Sequence, residues 1–167
     1  MTMKILVLSD SHSVLGLMRR FIEKVKPDAV IHLGDHYDDG DAMRQEYPHI
    51  SFHQVPGNCD LYRYVPADAR TVLCYDVCGV RLLMTHGHEH HVKQTLVRLV
   101  ADARSMGAAA ALYGHTHMAD CHREEDGLWV LNPGSCGSWG GSAGIVETDG
   151  EKILGCRLMT VEELGLE

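Results

Sequence analysis

Three observations in this sequence predict an α/β fold. Residues 5–8, Ile-Leu-Val-Leu, are a short continuous apolar run of the kind that forms a strand buried on both faces. Val14, Leu17, Met18, Phe21, Ile22 and Val25 then recur at helical spacing, and Pro27 closes the segment. From Arg70 onward β-rich runs and turn pairs become frequent, with Asp126-Gly127 and Asp149-Gly150 as hairpin signals. Strand, loop and helix therefore open the chain, and strands close it.

The remaining elements follow in order. Residues 29–33 read as a second strand, followed by a polar loop and a short helix over 41–47. A third strand over 51–55 runs into Pro56-Gly57-Asn58-Cys59-Asp60, a tight turn in which Gly57 lets backbone approach a ligand. Runs over 70–77 and 80–84, separated by Cys78-Gly79, predict a hairpin, so the sheet becomes antiparallel or mixed there. A helix is expected over 91–105, with Val92, Leu96, Leu99, Val100 and Ala103 on one face. Strands are expected over 108–113, 120–125, 128–131, 144–148 and 152–158, with a glycine-rich loop over 132–141. No repeat or linker interrupts the 167 residues, so a single domain over 1–167 is expected.

Composition narrows the function. A net charge of −8, from 15 basic and 23 acidic residues, argues against a stable nucleic-acid partner, so an anionic substrate needs locally supplied positive charge. No polybasic segment, no signal-like start and no apolar run of about 18 residues is present, which points to a cytoplasmic protein without a membrane partner. Self-association stays open. The six cysteines lack zinc-finger spacing and read as reduced thiols in that compartment. Twelve histidines are many for this length, and position has to decide which of them matter.

Position does decide. Polar residues begin where predicted strands stop: Asp10 and His12, Asp35 after Gly34, Asn58 after Gly57, His86 before Gly87, and His115 and His117 after Gly114. In an α/β sheet the ligand crevice lies outside the carboxyl ends of the strands, where all of these fall. Three side chains offering oxygen and four imidazoles are too many for one tetrahedral ion, yet suit two ions about 3.5–4 Å apart that share a carboxylate. Such ions lower the pKa of water towards neutrality and neutralise phosphoryl oxygens, which points to hydrolysis.

The motifs Asp10-Ser-His12, Gly34-Asp35, Gly57-Asn58, His86-Gly-His88 and Gly114-His115-Thr-His117 resemble, in order, those of the calcineurin-like metallophosphoesterases, most closely the small bacterial and archaeal phosphodiesterases. The resemblance implies two facing mixed β-sheets flanked by helices and a small phosphoester substrate. It implies that Asp10, His12, Asp35 and His117 hold one divalent ion, and that Asp35, Asn58, His86 and His115 hold a second. Asp35 would be the bridge. Asp35, Asn58, His86 and His88 are then expected at the reacting centre. Mixed nitrogen and oxygen ligands favour manganese, with iron, nickel, cobalt and zinc as alternatives.

The sequence departs from the larger enzymes of the superfamily, which carry a histidine after this asparagine as an acid for the leaving group. Here the position is Cys59, so the proton must come from His88, from water or not at all, and Asp60 is expected only to bond backbone in the turn. Asn132-Pro133-Gly134-Ser135 resembles the closing loop of the superfamily, whose amides are expected to face phosphate. Trp139 reads either as a lid or as part of a glycine-rich surface loop. His32, His49, His53, His90, His91 and His122 read as structural or solvated, and His36 is undecided. Two other functions share the same residues: a phosphomonoesterase or nucleotidase, and a non-catalytic interaction scaffold.

Overall fold

The computed structural model describes residues 1–62, 65–137 and 141–165. Among the described residues, ten strands form two five-stranded mixed sheets. In chain order they are β1 (Met3–Leu8), β2 (Ala29–His32), β3 (Ser51–Gln54), β4 (Val72–Val77), β5 (Val80–Thr85), β6 (Ala110–Leu112), β7 (Asp120–Arg123), β8 (Trp129–Asn132), β9 (Ser142–Thr148) and β10 (Ile153–Thr160). Helices α1 (Leu15–Val25) and α2 (Tyr37–Glu46) lie in the first half, and α3 (Val97–Ser105) lies between β5 and β6.

One sheet has the order β10-β9-β1-β2-β3, and β1, β2 and β3 are parallel. The other has the order β4-β5-β6-β8-β7, with β5, β6 and β8 parallel. The inner faces meet in an apolar core that includes Ile5, Val7, Ile31, Leu82, Met84, Leu112 and Leu131. On the far side of the first sheet, Leu6 and Leu8 pack against Met18, Phe21 and Ile22 of α1 and Met43 of α2. Leu83, Ala111 and Val130 of the second sheet pack against Leu99, Val100 and Ala103 of α3. Burying each large side chain of this kind stabilises the fold by roughly 1.5–3 kcal/mol, so the helix–sheet–sheet–helix layering follows from both faces of each sheet being apolar.

Two helices differ from expectation. Helix α2 starts at Tyr37 instead of Asp41, because Asp60 accepts hydrogen bonds from the N–H groups of His36 (2.7 Å) and Tyr37 (2.9 Å). A carboxylate more than twenty residues away therefore caps this helix, and local patterning does not reveal it. Helix α3 starts at Val97, not His91. Residues 88–90 form a short 3-10 turn, His91 takes a left-handed conformation (φ 55°), and residues 91–94 continue as turns. The strand expected over 108–113 shortens to Ala110–Leu112, where pairing with β5 and β8 ends. Likewise β7 stops at Arg123, because Glu124 turns into a loop closed by its N–H bond to Leu128 O (2.8 Å). Trp139 lies outside the described residues.

Candidate metal centre

The site forms where the parallel strands of both sheets end. Asp10 and His12 follow β1, Asp35 follows β2, Asn58 follows β3, His86 follows β5, and His115 and His117 follow β6. Five of these residues occupy the left-handed region, which non-glycine residues rarely adopt: Asp10 (φ 55°), His12 (47°), Asp35 (56°), His115 (70°) and His117 (61°). Each such residue costs about 1–3 kcal/mol and persists only when its surroundings hold it there. Here the loops hold one another. Asp10 N bonds Gly34 O (2.9 Å), Gly114 N bonds His86 O (2.9 Å), and Cys136 N bonds Ser9 O (3.0 Å).

Ligand atoms of Asp10, His12, Asp35 and His117 all lie within 4.8 Å of one another. The oxygen Asp10 Oδ2 accepts from Ser9 Oγ (2.6 Å) and His115 N (3.2 Å). Its partner Oδ1 is buried without a hydrogen-bond partner and lies 3.1 Å from His117 Nε2. On the other side, Asp35 Oδ1 accepts from Cys59 N (2.9 Å) while Oδ2 is 3.4 Å from His86 Nε2. The Nδ1–H of His86 donates to Leu33 O (2.8 Å), which leaves Nε2 to face the site, 3.3 Å from His115 Nδ1. His12 Nε2 and Asn58 Oδ1 are likewise buried without a hydrogen-bond partner. Leaving a buried polar atom unpaired costs about 1–3 kcal/mol. Unpaired atoms of Asp10 and His12 within the cluster they form with Asp35 and His117 are what a divalent cation satisfies, so these residues fit such an ion.

The ionisable groups of the site shift one another. Burial pulls the Asp35 carboxyl upward, but the hydrogen bond and charge of His86 outweigh it and hold the group well below the usual carboxylate range. Burial alone would depress His86, and the carboxylates Asp35 and Asp10 reverse that and raise it. His115 is pushed down to about 4 by burial, with the charges of His86 and Lys93 adding to it. His88 is lowered by burial and by His86, its ring 5.6 Å from that of His86, and its buried Nδ1 lacks a hydrogen-bond partner. The thiol of Cys59 is pushed up to about 11 by burial and by Asp35, so it stays protonated beside the carboxylate.

Residues around the site fix its shape. Asp60 accepts from the N–H groups of Gly57 (2.7 Å) and Asp35 (3.0 Å) as well as those of His36 and Tyr37. Ser11, Asp39 and His32 form a buried chain that spacing alone did not single out. Gly34 N donates to His32 Nδ1 (3.2 Å), so Nε2–H faces Ser11 Oγ (2.9 Å), whose hydroxyl donates to Asp39 Oδ2 (2.7 Å). The same oxygen accepts from Ser13 N (2.7 Å), so both neighbours of His12 are tied to α2. His36 packs edge-on against His12, ring centres 5.1 Å apart.

In the closing loop Gly134 N bonds Asn132 Oδ1 (2.9 Å), so of the expected phosphate-facing amides that of Gly134 is bonded within the protein; beyond it, Gly137 N bonds Ser135 Oγ (3.2 Å) and Cys136 N bonds Ser9 O. Ser135 Oγ donates to Asp10 O (2.8 Å), so the loop braces the residues carrying the site. Gly57 is fixed by contact: a Cβ there would meet the Asp35 carboxylate, and would come within 2.6 Å of Asp35 N and 2.9 Å of His86 Nδ1. Gly57→Ala should therefore displace Asp35 and lower manganese affinity at least about tenfold, by analogy with the loss of an outer-shell support. Titration calorimetry checks this, and unchanged affinity would show that the close approach is not needed.

A two-sheet sandwich with mixed oxygen and nitrogen donors at its strand ends has the architecture of a metal-dependent phosphoesterase. The chain belongs to the calcineurin-like phosphoesterase superfamily, whose domain pattern matches residues 3–151. It is 30% identical over 136 residues to the probable metallophosphoesterase YsnB of Bacillus subtilis (strain 168), covering 80% of this chain and 75% of that protein. A crystal structure of a conserved uncharacterized protein and predicted phosphoesterase from Streptococcus pneumoniae TIGR4 superposes with a TM-score of 0.70 at 23% identity, covering 96% of this chain and 98% of that one. Wild-type Vps29 complexed with zinc from Entamoeba histolytica superposes with a TM-score of 0.71 at 17% identity, covering 95% and 98%. At these identities the two structures speak to the fold alone.

Proposed function

We propose that this protein is a metal-dependent phosphodiesterase that hydrolyses small phosphodiesters, with Asp10, His12, Asp35 and His117 holding one divalent ion and Asp35, Asn58, His86 and His115 a second. One observation carries the reading. Asp35 lies in the cluster with Asp10, His12 and His117 and also 3.4 Å from His86 Nε2, so a single carboxylate faces both sets of donors. When bound, such ions lower the pKa of water and neutralise phosphoryl oxygens. Manganese is the first expectation for this donor set.

The chain's own groups do the remaining work. The Leu33 carbonyl orients His86, Asp60 holds the Asp35 and Gly57 amides, and Ser11 with Asp39 anchors the loop of His12. Cys59 beside Asp35 is a protonated thiol, a poor acid for an alkoxide leaving group. The reading therefore favours substrates whose leaving group departs with little help. Cys59→Ala should leave hydrolysis of bis(4-nitrophenyl) phosphate within about twofold, whereas Cys59→His should raise turnover of alkyl esters by up to ~10²-fold. A plot of log rate against leaving-group pKa checks both: the histidine should flatten its slope. A large loss on Cys59→Ala with intact metal content would instead assign the thiol a direct role.

The reading itself is tested by turnover of matched phosphodiesters and phosphomonoesters with manganese. Preferential cleavage of diesters is expected. Preferential cleavage of monoesters would favour a phosphatase, and metal binding without turnover would favour a scaffold.

A further inference from the structure

The stretch between the 3-10 turn and α3 refuses the helix that its apolar spacing predicts. Residues 91–96 instead follow an irregular path, opening at the left-handed His91. Places where a strong local pattern is overridden tend to be functional. The path creates one wall of a cavity of about 690 Å³, lined by Val92, Lys93 and Leu96 on one side and by Tyr113, Thr116, Met118 and Asp120 on the other, the Asp120 carboxylate being engaged by His122 Nδ1 (2.8 Å). That size suits a small organic group.

The second wall is continuous with the loop that carries His115 and His117. Thr116 lies between His115 and His117, Met118 follows His117 with 73% of its surface exposed, and Asn132 Nδ2 braces Thr116 Oγ1 (2.8 Å). The first wall reaches the same place, because the Val92 side chain packs where Gly87 would carry a Cβ (2.8 Å), next to His86. Lys93 is exposed and forms no ion pair with the described residues.

We propose that this cavity is the subsite for the organic group esterified to the phosphate, and that Lys93 selects substrates whose organic group carries a second negative charge. The proposal rests on the phosphoesterase reading above. Apolar side chains from both walls would cover a flat or aliphatic body, and the Lys93 ammonium would meet an anion at its far end. This is a specificity determinant apart from the metal ligands.

Three non-hydrolysable probes test it by calorimetry on the manganese-loaded protein: methylphosphonate, phenylphosphonate and 4-carboxyphenylphosphonate. The wild type should bind them with rising affinity in that order. Lys93→Ala should reduce the preference for the carboxylated over the plain phenyl probe about five- to tenfold, and Lys93→Glu should reverse it. Met118→Trp, which fills the cavity, should reduce the preference for phenyl over methyl by about tenfold. Phosphonates that bind with preferences unchanged in all three variants would overturn the subsite and leave the phosphoesterase reading standing. Failure of the wild type to hydrolyse any phosphoester with manganese would overturn that reading and the subsite with it.

Discussion

Asp35→Asn should lose manganese from both sites together and lower turnover of bis(4-nitrophenyl) phosphate by at least about 10³-fold, beyond the 10–100-fold typical of losing a supporting partner. The reason is its position. The carboxylate faces Asp10, His12 and His117 on one side and His86 on the other, and its other oxygen is occupied by Cys59 N. An amide keeps the shape but removes the charge both ions would share. Manganese at 100 times its dissociation constant should stabilise the wild type by about 2.7 kcal/mol for each occupied site, and this gain should nearly vanish in the variant. Asp10→Asn should weaken chiefly one site. Thermal denaturation with and without manganese checks the pair, and an Asp35→Asn protein as stabilised by metal as the wild type would remove Asp35 from its bridging role.

Asp60→Ala should be the most destabilising single change near the site. The Asp60 side chain is 1% exposed and accepts from the four N–H groups of Gly57, Asp35, His36 and Tyr37. Truncation leaves those donors buried and unpaired at about 1–3 kcal/mol each, and because they relax together the sum overstates the loss. A destabilisation of at least about 3 kcal/mol is expected, or roughly 6–12 °C in Tm for a chain of this size. The same change releases the N-terminus of α2 and the backbone carrying Asp35, so metal affinity should fall as well. Urea denaturation measures the first effect, and a loss under about 1 kcal/mol would show that these amides find other partners.

Much of this was legible in the sequence because it is local. The apolar runs of β1, β2 and β6 end in Asp10, Asp35 and His115, and the structure brings those ends to one edge of two sheets. The face of α1, repeating through Met18, Phe21 and Ile22, is buried as its spacing predicts. What escaped depends on groups distant in sequence. The early start of α2 needs Asp60, and the anchoring of the His12 loop needs Asp39 and His32, whose partners lie more than twenty residues away. Neither has a signature within one turn of helix or one strand. The late start of α3 has a different cause. Val92 and Leu96 pack against the second sheet's outer core, as a helix would place them, although the chain between them is not helical. Apolar spacing therefore reports burial in both conformations and does not separate them.

The central claim is that one carboxylate and six other side chains hold two ions. Equilibrium dialysis of the wild-type protein against manganese, followed by elemental analysis, tests it most directly. The account predicts a plateau of two manganese ions per chain, while a plateau at one, or no retained metal, would contradict it.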